Sequence, residues 1–333
     1  MVQPKRSSMQ DIADALGVSR ATVSNALLGK GRVSDRIASR VREKAKEMDY
    51  APSGLGRALR TGRSQQVGLV LPDFRMPLFA EFARAFAMAA RARGLVLTVA
   101  DSLGDIEMQR SNVTELAARG MDAVLLVPMR GSSLNGLRLP TPLIVIDAET
   151  NPLNAVSSDH GAGGRLIAGH LAGLGHRDVL ILNGGDAPAS RVNHLRLSSI
   201  EETLRAFGVR TQTASLPLQF TAARDFVMDW QPGQVTAIAA TYDTLAVGAI
   251  MALNERRIAV PDQISVAGFD DTVWGRITSP PLTTVRQDLD RVAELALARA
   301  MGEREGPDLV PVSLVARAST AAPQHEATNR TVS

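Results

Sequence analysis

The sequence predicts a small all-α headpiece of the helix-turn-helix type, followed by an α/β core of two doubly wound parallel-sheet lobes. Three observations lead there. Residues 10–29, QDIADALGVSRATVSNALLG, read as two short helices joined at Gly17–Val18. Ala13 supplies a small residue where the helices cross, Gly17 the turn, and Val23 an apolar pin for the second helix. Charge is placed unevenly: residues 1–64 carry 13 Lys+Arg against 6 Asp+Glu, leaving 24 against 28 in the remainder. From Gln66 onward strands and helices alternate almost to the end, the pattern of parallel sheets with helices on both faces. A chain of 333 residues is too long for one small domain, and its units are too many for one sheet.

In the headpiece, Ile12, Ala13 and Leu16 form the inner face of the first helix, and the second helix begins at Ser19. GKGRVS makes a loop, and Ser34 is placed to cap a third helix running to about Asp49. Its apolar face is Ile37, Val41, Ala45 and Met48, and its other face is Arg40, Arg42, Lys44 and Lys46. Pro52 ends that helix, and the Gly, Ser and Thr of YAPSGLGRALRTGRS read as a linker with short helical potential in LGRALR.

In the core, the expected strands are VGLVLP, LVLTVA, AVLLVP, LIVID, VLILNG, AIAATYD, ISVAGFD and VSLVARAS. The expected helices are Leu78–Arg93, with Phe79, Phe82, Phe86 and Ala90 on one face and Gly94 as its stop, then Ile106–Arg119, Gly161–Leu174, Ser198–Phe207, Thr221–Asp229, Thr244–Arg256 and Leu289–Met301. The tail from Ala322 is polar and expected to fray. It has no heptad leucines, which argues against a tetramer-forming coil.

The same residues exclude several functions. With no cysteine there is no disulfide framework, Cys-based zinc site or thiol nucleophile, and the five histidines lack metal-ligand spacing. No cofactor or metal is expected. No apolar run approaches the ~20 residues of a spanning helix. MVQPKRSSMQ is polar and basic, unlike a secretory signal, so no membrane association and a cytoplasmic location are expected. HGAGG at 160–164 is not GxGxxG, and NGGDAP lacks the Lys of a phosphate loop. Ser158, Asp159 and His160 are consecutive and cannot form a catalytic triad. An enzyme is therefore not expected, and the basic arm points to phosphate.

Taken together, DIADALGVSRATVSNAL, GKGRVS, PSGLGRALRTGRS, VGLVLPDFRMPLFAE, HLAGLGHRDVLILNG, AVGAIMALNERRIAVPDQISVAGFDD and SPPLTTVRQDL resemble, in order and spacing, the LacI/GalR family of bacterial transcriptional regulators. The resemblance runs from Met9 to about Ser319. It implies a DNA-binding headpiece at 1–50, a hinge at 51–64 and a periplasmic-binding-protein-like core at 65–333. Lobe one would take about 65–158 and 288–318, and lobe two about 159–287 with the C-terminal segment. It further implies a homodimer on a pseudo-palindromic operator in double-stranded DNA and a small-molecule effector, a sugar or sugar derivative, that relieves repression. A corepressor-dependent regulator sensing a nucleobase or other metabolite is the alternative within the class, and a sugar-binding transport-type protein the alternative outside it.

The resemblance also assigns residues. Ser19 caps the recognition helix, with Thr22 and Ser24 suited to phosphate. The base readers map onto Arg20, Ala21 and Asn25: Arg20 fits guanine, Asn25 fits adenine, and Ala21 offers a methyl contact. Asn25 stands where many relatives have Arg. Leu59 matches a hinge leucine that wedges into the minor groove, set between Arg57 and Arg60. Gly56 replaces the usual hinge Ala, which predicts a hinge that folds only on the operator. Effector contacts map onto Asp73, Phe74, Met76, Phe79, Asp101 and Asp147 in lobe one, and onto Asn193, Arg196, Phe220, Tyr242, Asp243, Asp270 and Gln287 in lobe two, with His160 a weaker candidate. Arg196 with Asp270 suits the vicinal hydroxyls of a sugar, and Phe220 suits stacking on a ring. Met76, Ala148 and Tyr242 depart from the usual residues and imply a larger, less polar pocket.

Overall fold

The structure, a computed structural model, describes residues 7–28, 33–50, 62–134, 136–148, 154–185 and 190–324. It divides into two compact units, residues 1–64 and 65–333.

The first unit holds three helices, α1 (Met9–Leu16), α2 (Arg20–Leu28) and α3 (Asp35–Glu47). Ser8 and Asp11 form a reciprocal capping box at the start of α1. Gly17 ends that helix in the left-handed region, with φ 65°, which glycine adopts without steric cost. Ile12, Ala13, Val23, Ala26, Ala38, Val41 and Ala45 form the core, with Leu16, Ile37 and Met48 packed around it. Ala13 and Val23 thus occupy the crossing and pinning positions the spacing predicts. Ser34 is a correction: it stands at the N-cap of α3, but its side chain makes no capping bond. Its carbonyl instead accepts from the Ala38 N–H.

The second unit contains two six-stranded sheets. The first sheet is built from β1 (Gln66–Leu71), β2 (Val96–Asp101), β3 (Ala123–Leu126), β4 (Leu143–Ile146), β5 (Asn154–Ser158) and β11 (Asp308–Val310), in the order β2-β1-β3-β4-β5-β11. The second is built from β6 (Asp178–Gly184), β7 (Arg210–Leu216), β8 (Ala237–Ala240), β9 (Ser265–Asp270), β10 (Thr283–Gln287) and β12 (Val312–Val315), in the order β7-β6-β8-β9-β10-β12. All neighbours are parallel except β12, which runs antiparallel to β10. Helices α4 (Pro77–Ala92) and α5 (Ile106–Ala118) connect the strands of the first sheet. Helices α6 (His160–Gly173), α7 (Arg191–Ala206), α8 (Phe220–Asp229), α9 (Asp243–Glu255) and α10 (Val273–Ile277) belong to the second. Helix α11 (Leu289–Ala300) returns to the first lobe, where Leu289, Val292, Ala293, Ala296 and Leu297 join its core.

The chain therefore passes between lobes three times, at 158–160, 287–289 and 310–312. The expected second segment of lobe one, 288–318, is corrected: it ends at Val310, because β12 pairs with β10 of the other sheet. Pro311 lies between the two strands and has no N–H to continue a ladder. The helix expected over Ser198–Phe207 begins instead at Arg191, where the Ser190 side chain accepts from the Asn193 N–H. The late strand expected over VSLVARAS ends at Val315. The tail is pinned as far as Ala321, whose N–H donates to Ser265 Oγ and whose carbonyl accepts from His176 Nε2. Residues 325–333, within the expected frayed tail, lie outside the described residues.

Candidate functional site

The first unit presents α2. Val23 and Ala26 face inward, which turns Arg20, Ala21 and Asn25 out to the surface. Ser19 Oγ accepts from the Thr22 N–H at 3.0 Å and shares a hydrogen bond with Thr22 Oγ1 at 2.9 Å. This caps the exposed N-terminal turn, the end of a helix that carries partial positive charge. Thr22 and Ser24 are half-buried beside it. Arg57, Leu59 and Arg60, expected on DNA through the hinge, lie outside the described residues.

The second site follows from the topology. In each sheet the order reverses beside the first strand of the lobe, β1 or β6, which opens a crevice at the carboxyl ends of the strands. The two crevices form one cavity of about 280 Å³. From lobe one, Asp73, Met76, Phe79, Met129, Arg130 and Asp147 line it; from lobe two, Ser190, Arg196, Leu218, Tyr242, Thr244, Asp270 and Thr272 do.

Arg196 organises the wall. It is only 1% exposed. Its Nη2 donates to Asp270 Oδ1 at 2.9 Å, its Nη1 to the Thr241 carbonyl at 2.9 Å, and its Nε to His160 Nδ1 at 3.3 Å. The guanidinium lies 3.8 Å from the Phe269 ring centroid and 4.6 Å from that of Tyr242, a cation–π contact with each ring. Because His160 Nδ1 accepts, the ring's proton sits on Nε2, which donates to Asp147 Oδ1 at 3.2 Å. On the far side, Gln287 Nε2 donates to Asp270 Oδ1 at 2.8 Å. The chain Asp147–His160–Arg196–Asp270–Gln287 thus includes two residues, His160 and Gln287, at the crossovers between lobes.

The acids of this region have been pushed apart. Burial works to raise the Asp147 carboxyl, but His160 and the Ser158 N–H hold it below the ordinary carboxylate range. Asp270 is raised by burial, against the pull of Arg196. Asp243 is pushed up to about 8 by burial and by the nearby Asp270 charge. Asp147, Asp270 and Asp271 all have positive φ, so the strand ends carry local backbone strain at the site.

Seven of the expected effector residues line the cavity: Asp73, Met76, Phe79, Asp147, Arg196, Tyr242 and Asp270. Six do not. Phe74 is exposed, and its N–H donates to Asp101, whose carboxylate also takes the Leu103 N–H and so fixes the loop after β1. Asn193 donates to Asn183 at 2.8 Å. Phe220 packs on Trp274, with ring centroids 5.6 Å apart, where a stacking platform was expected. Asp243 is fully buried and accepts from the Thr272 N–H and from Thr284 Oγ1, which ties α9 to the ends of β9 and β10. Gln287 reaches Asp270 from outside the cavity.

Residue-by-residue reading missed Arg130, Met129, Ser190, Leu218, Thr244 and Thr272. Arg130 follows the carboxyl end of β3, so its place in the fold was a usable signal. HGAGG serves packing: a Cβ on Gly163 would meet the Phe269 ring, and one on Gly164 would stand 2.6 Å from the Arg196 carbonyl.

A capped helix with an exposed outer face, together with a two-lobed cleft built around a buried ion pair, fits a DNA-binding transcriptional regulator with a ligand-binding core. Residues 8–53 match the model of the bacterial regulatory proteins of the lacI family, and residues 168–320 match a periplasmic binding protein-like domain. The chain thus joins a lacI-family DNA-binding domain to a periplasmic binding protein-like domain. It is 27% identical over 318 residues to the ribose operon repressor of Haemophilus influenzae, covering 91% of this chain and 93% of that protein. It is 29% identical over 343 residues to the transcriptional repressor PurR of Edwardsiella ictaluri, covering 95% and 97%. The crystal structure of the lac repressor dimer bound to operator and the anti-inducer ONPF superposes with a TM-score of 0.83 at 25% identity, covering 96% of this chain and 100% of that one. No helix among the described residues is long and apolar enough to cross a membrane.

Proposed function

We propose that the protein is a repressor that binds its operator as a homodimer in the cytoplasm, is not an enzyme, and changes operator affinity when a sugar or sugar derivative fills the cleft. Both relatives and the solved neighbour above are repressors by name, and the neighbour is a dimer on operator. In this reading residues 1–50 are the headpiece, 51–64 the hinge and 65–333 the core. Ser19, Thr22 and Ser24 meet phosphates, while Arg20, Ala21 and Asn25 meet base edges in the major groove. Arg57, Leu59 and Arg60 take the minor groove at the operator centre.

The observation that carries the effector reading is the Arg196–Asp270 pair, buried and fixed in the wall of a cavity of about 280 Å³. A planar donor fork beside a carboxylate offers donors and an acceptor at the spacing of neighbouring hydroxyls. The apolar faces of Met76, Phe79 and Leu218 suit the C–H face of a ring. Ligand that favours one arrangement of the lobes shifts operator affinity by a coupling free energy of ~1–3 kcal/mol, and operator shifts ligand affinity equally. The test is an operator titration of the wild type and of Arg196→Ala, with and without the compound that most raises Tm in a metabolite screen. Arg196→Ala is expected to bind operator and ignore the compound; an unaltered response would remove Arg196 from the site. Removing residues 1–64 is expected to abolish operator binding and leave the Tm shift intact.

A further inference from the structure

We infer that the effector is anionic, a sugar or polyol bearing a carboxylate or phosphate, and that Arg130 is the residue that selects it. This rests on the reading of the cleft as the effector site. Each carboxylate lining the cavity is already met by donors. Asp73 takes Arg75 in an ion pair, Asp147 takes His160 and the Ser158 N–H, and Asp270 takes Arg196 and Gln287. Arg130 is the opposite case. It lines the same cavity, is half-buried, and has no carboxylate within ion-pair distance among the described residues. Its Nη2 donates to the Gly184 carbonyl at 2.9 Å and to the Tyr242 hydroxyl at 3.1 Å. Among the described residues its Nε and Nη1 donors have no acceptor.

The guanidinium is held in place and not loosely exposed. It belongs to lobe one and reaches the end of β6 in lobe two, with its charge 5.7 Å from the Tyr242 ring centroid. The NGG segment is shaped around it. A Cβ on Gly184 would stand 2.6 Å from the Tyr242 ring, and one on Gly185 would collide with Arg130 Nη1. Gly185 also has φ 127°, a conformation that side chains disfavour. A half-desolvated guanidinium with free donors is costly when unpaired, and an anionic oxygen pair meets its fork in charge-assisted hydrogen bonds. Arg196 cannot do this work, because its own charge is neutralised by Asp270.

The experiment is a thermal-shift and calorimetric titration of the full-length protein with gluconate, galacturonate and glucose phosphate, each beside its neutral parent, glucose or galactose. The acids are expected to bind and raise Tm more than their parents. Arg130→Gln is expected to weaken acid binding by about tenfold or more, while Arg130→Lys, which keeps the charge and loses the fork, falls between. A preference for gluconate and galacturonate names a carboxylate as the recognised group, and a preference for glucose phosphate names a phosphate. Binding of the neutral parents alone, binding of none of the acids, or acid binding unchanged in Arg130→Gln overturns the inference. If acid binding is lost in Arg196→Gln but kept in Arg130→Gln, the cleft reading stands and only the anion assignment fails. If both variants bind as the wild type does, the cleft reading itself fails.

Discussion

At the scale of single residues, the fold protects one ion pair, Arg196 with Asp270, whose side chains are 1% and 4% exposed. Such a pair adds little net stability, but removing one partner strands the other charge in a low dielectric. Asp270→Asn is therefore expected to lower the unfolding free energy of the core by about 3–5 kcal/mol, read as a lower urea midpoint. An unchanged midpoint would mean that Arg196 finds another acceptor. In the headpiece, Asn25→Ala is expected to cost ~1–3 kcal/mol in discrimination between operator and a site changed at one base pair, with little loss of nonspecific affinity. Asp270 was legible because it stands inside a long collinear motif, whereas Arg196 falls between two motifs and was placed by the order and spacing of the resemblance as a whole. Phe220 and Asp243 were misplaced for a physical reason: both begin helices at strand ends, yet their side chains satisfy the lobe's own packing and caps. Arg130 carries no motif, and its place after the carboxyl end of β3 was the one signal the sequence held for it.

At the scale of elements, strands were legible where both faces are buried. β1, β3, β4, β6, β8 and β9 are apolar runs covered by helices. β7, RTQTASL, is a largely exposed edge strand, and β5 and β10 are short and rich in Ser and Thr, so no apolar run or alternation marked them. Helix α7 was read about two turns too short, since its first turns are polar and its start is set by the Ser190 cap. Two substitutions test the packing logic. Gly164→Ala should destabilise the core by ~1–3 kcal/mol, because the new Cβ meets the Arg196 carbonyl and forces α6 away from α7. A Tm equal to the wild type would show that the contact gives way. Ser19→Ala removes the bond to the Thr22 N–H and should cost the headpiece ~1 kcal/mol of stability, read by the amide-exchange protection of α2.

At the scale of the whole molecule, two buried groups set the pH range of the core. Asp243 has its carboxyl raised from 3.8 to about 8, so the stability it contributes is complete at low pH and is lost as pH rises toward and through about 8. His176 is lowered from 6.5 to about 4 by burial, so its contribution is lost as pH falls from 6.5 through about 4. Tm is therefore expected to decline on both sides, and Asp243→Asn should flatten the alkaline side alone; an identical alkaline decline in that variant would assign it to other groups. The lobes meet through groups at the cleft: Arg130 on Gly184 and Tyr242, and Glu81 of α4 on the Val273 N–H of α10. A ligand that displaces or reinforces these contacts changes the balance between lobe arrangements, which is the physical requirement for control of operator affinity. The most direct test is operator affinity measured at rising concentrations of the compound that most stabilises the core. The account predicts a saturable change of about 5–150-fold, matched by an equal change in ligand affinity when operator is present. Operator affinity that stays constant while the cleft fills would contradict it.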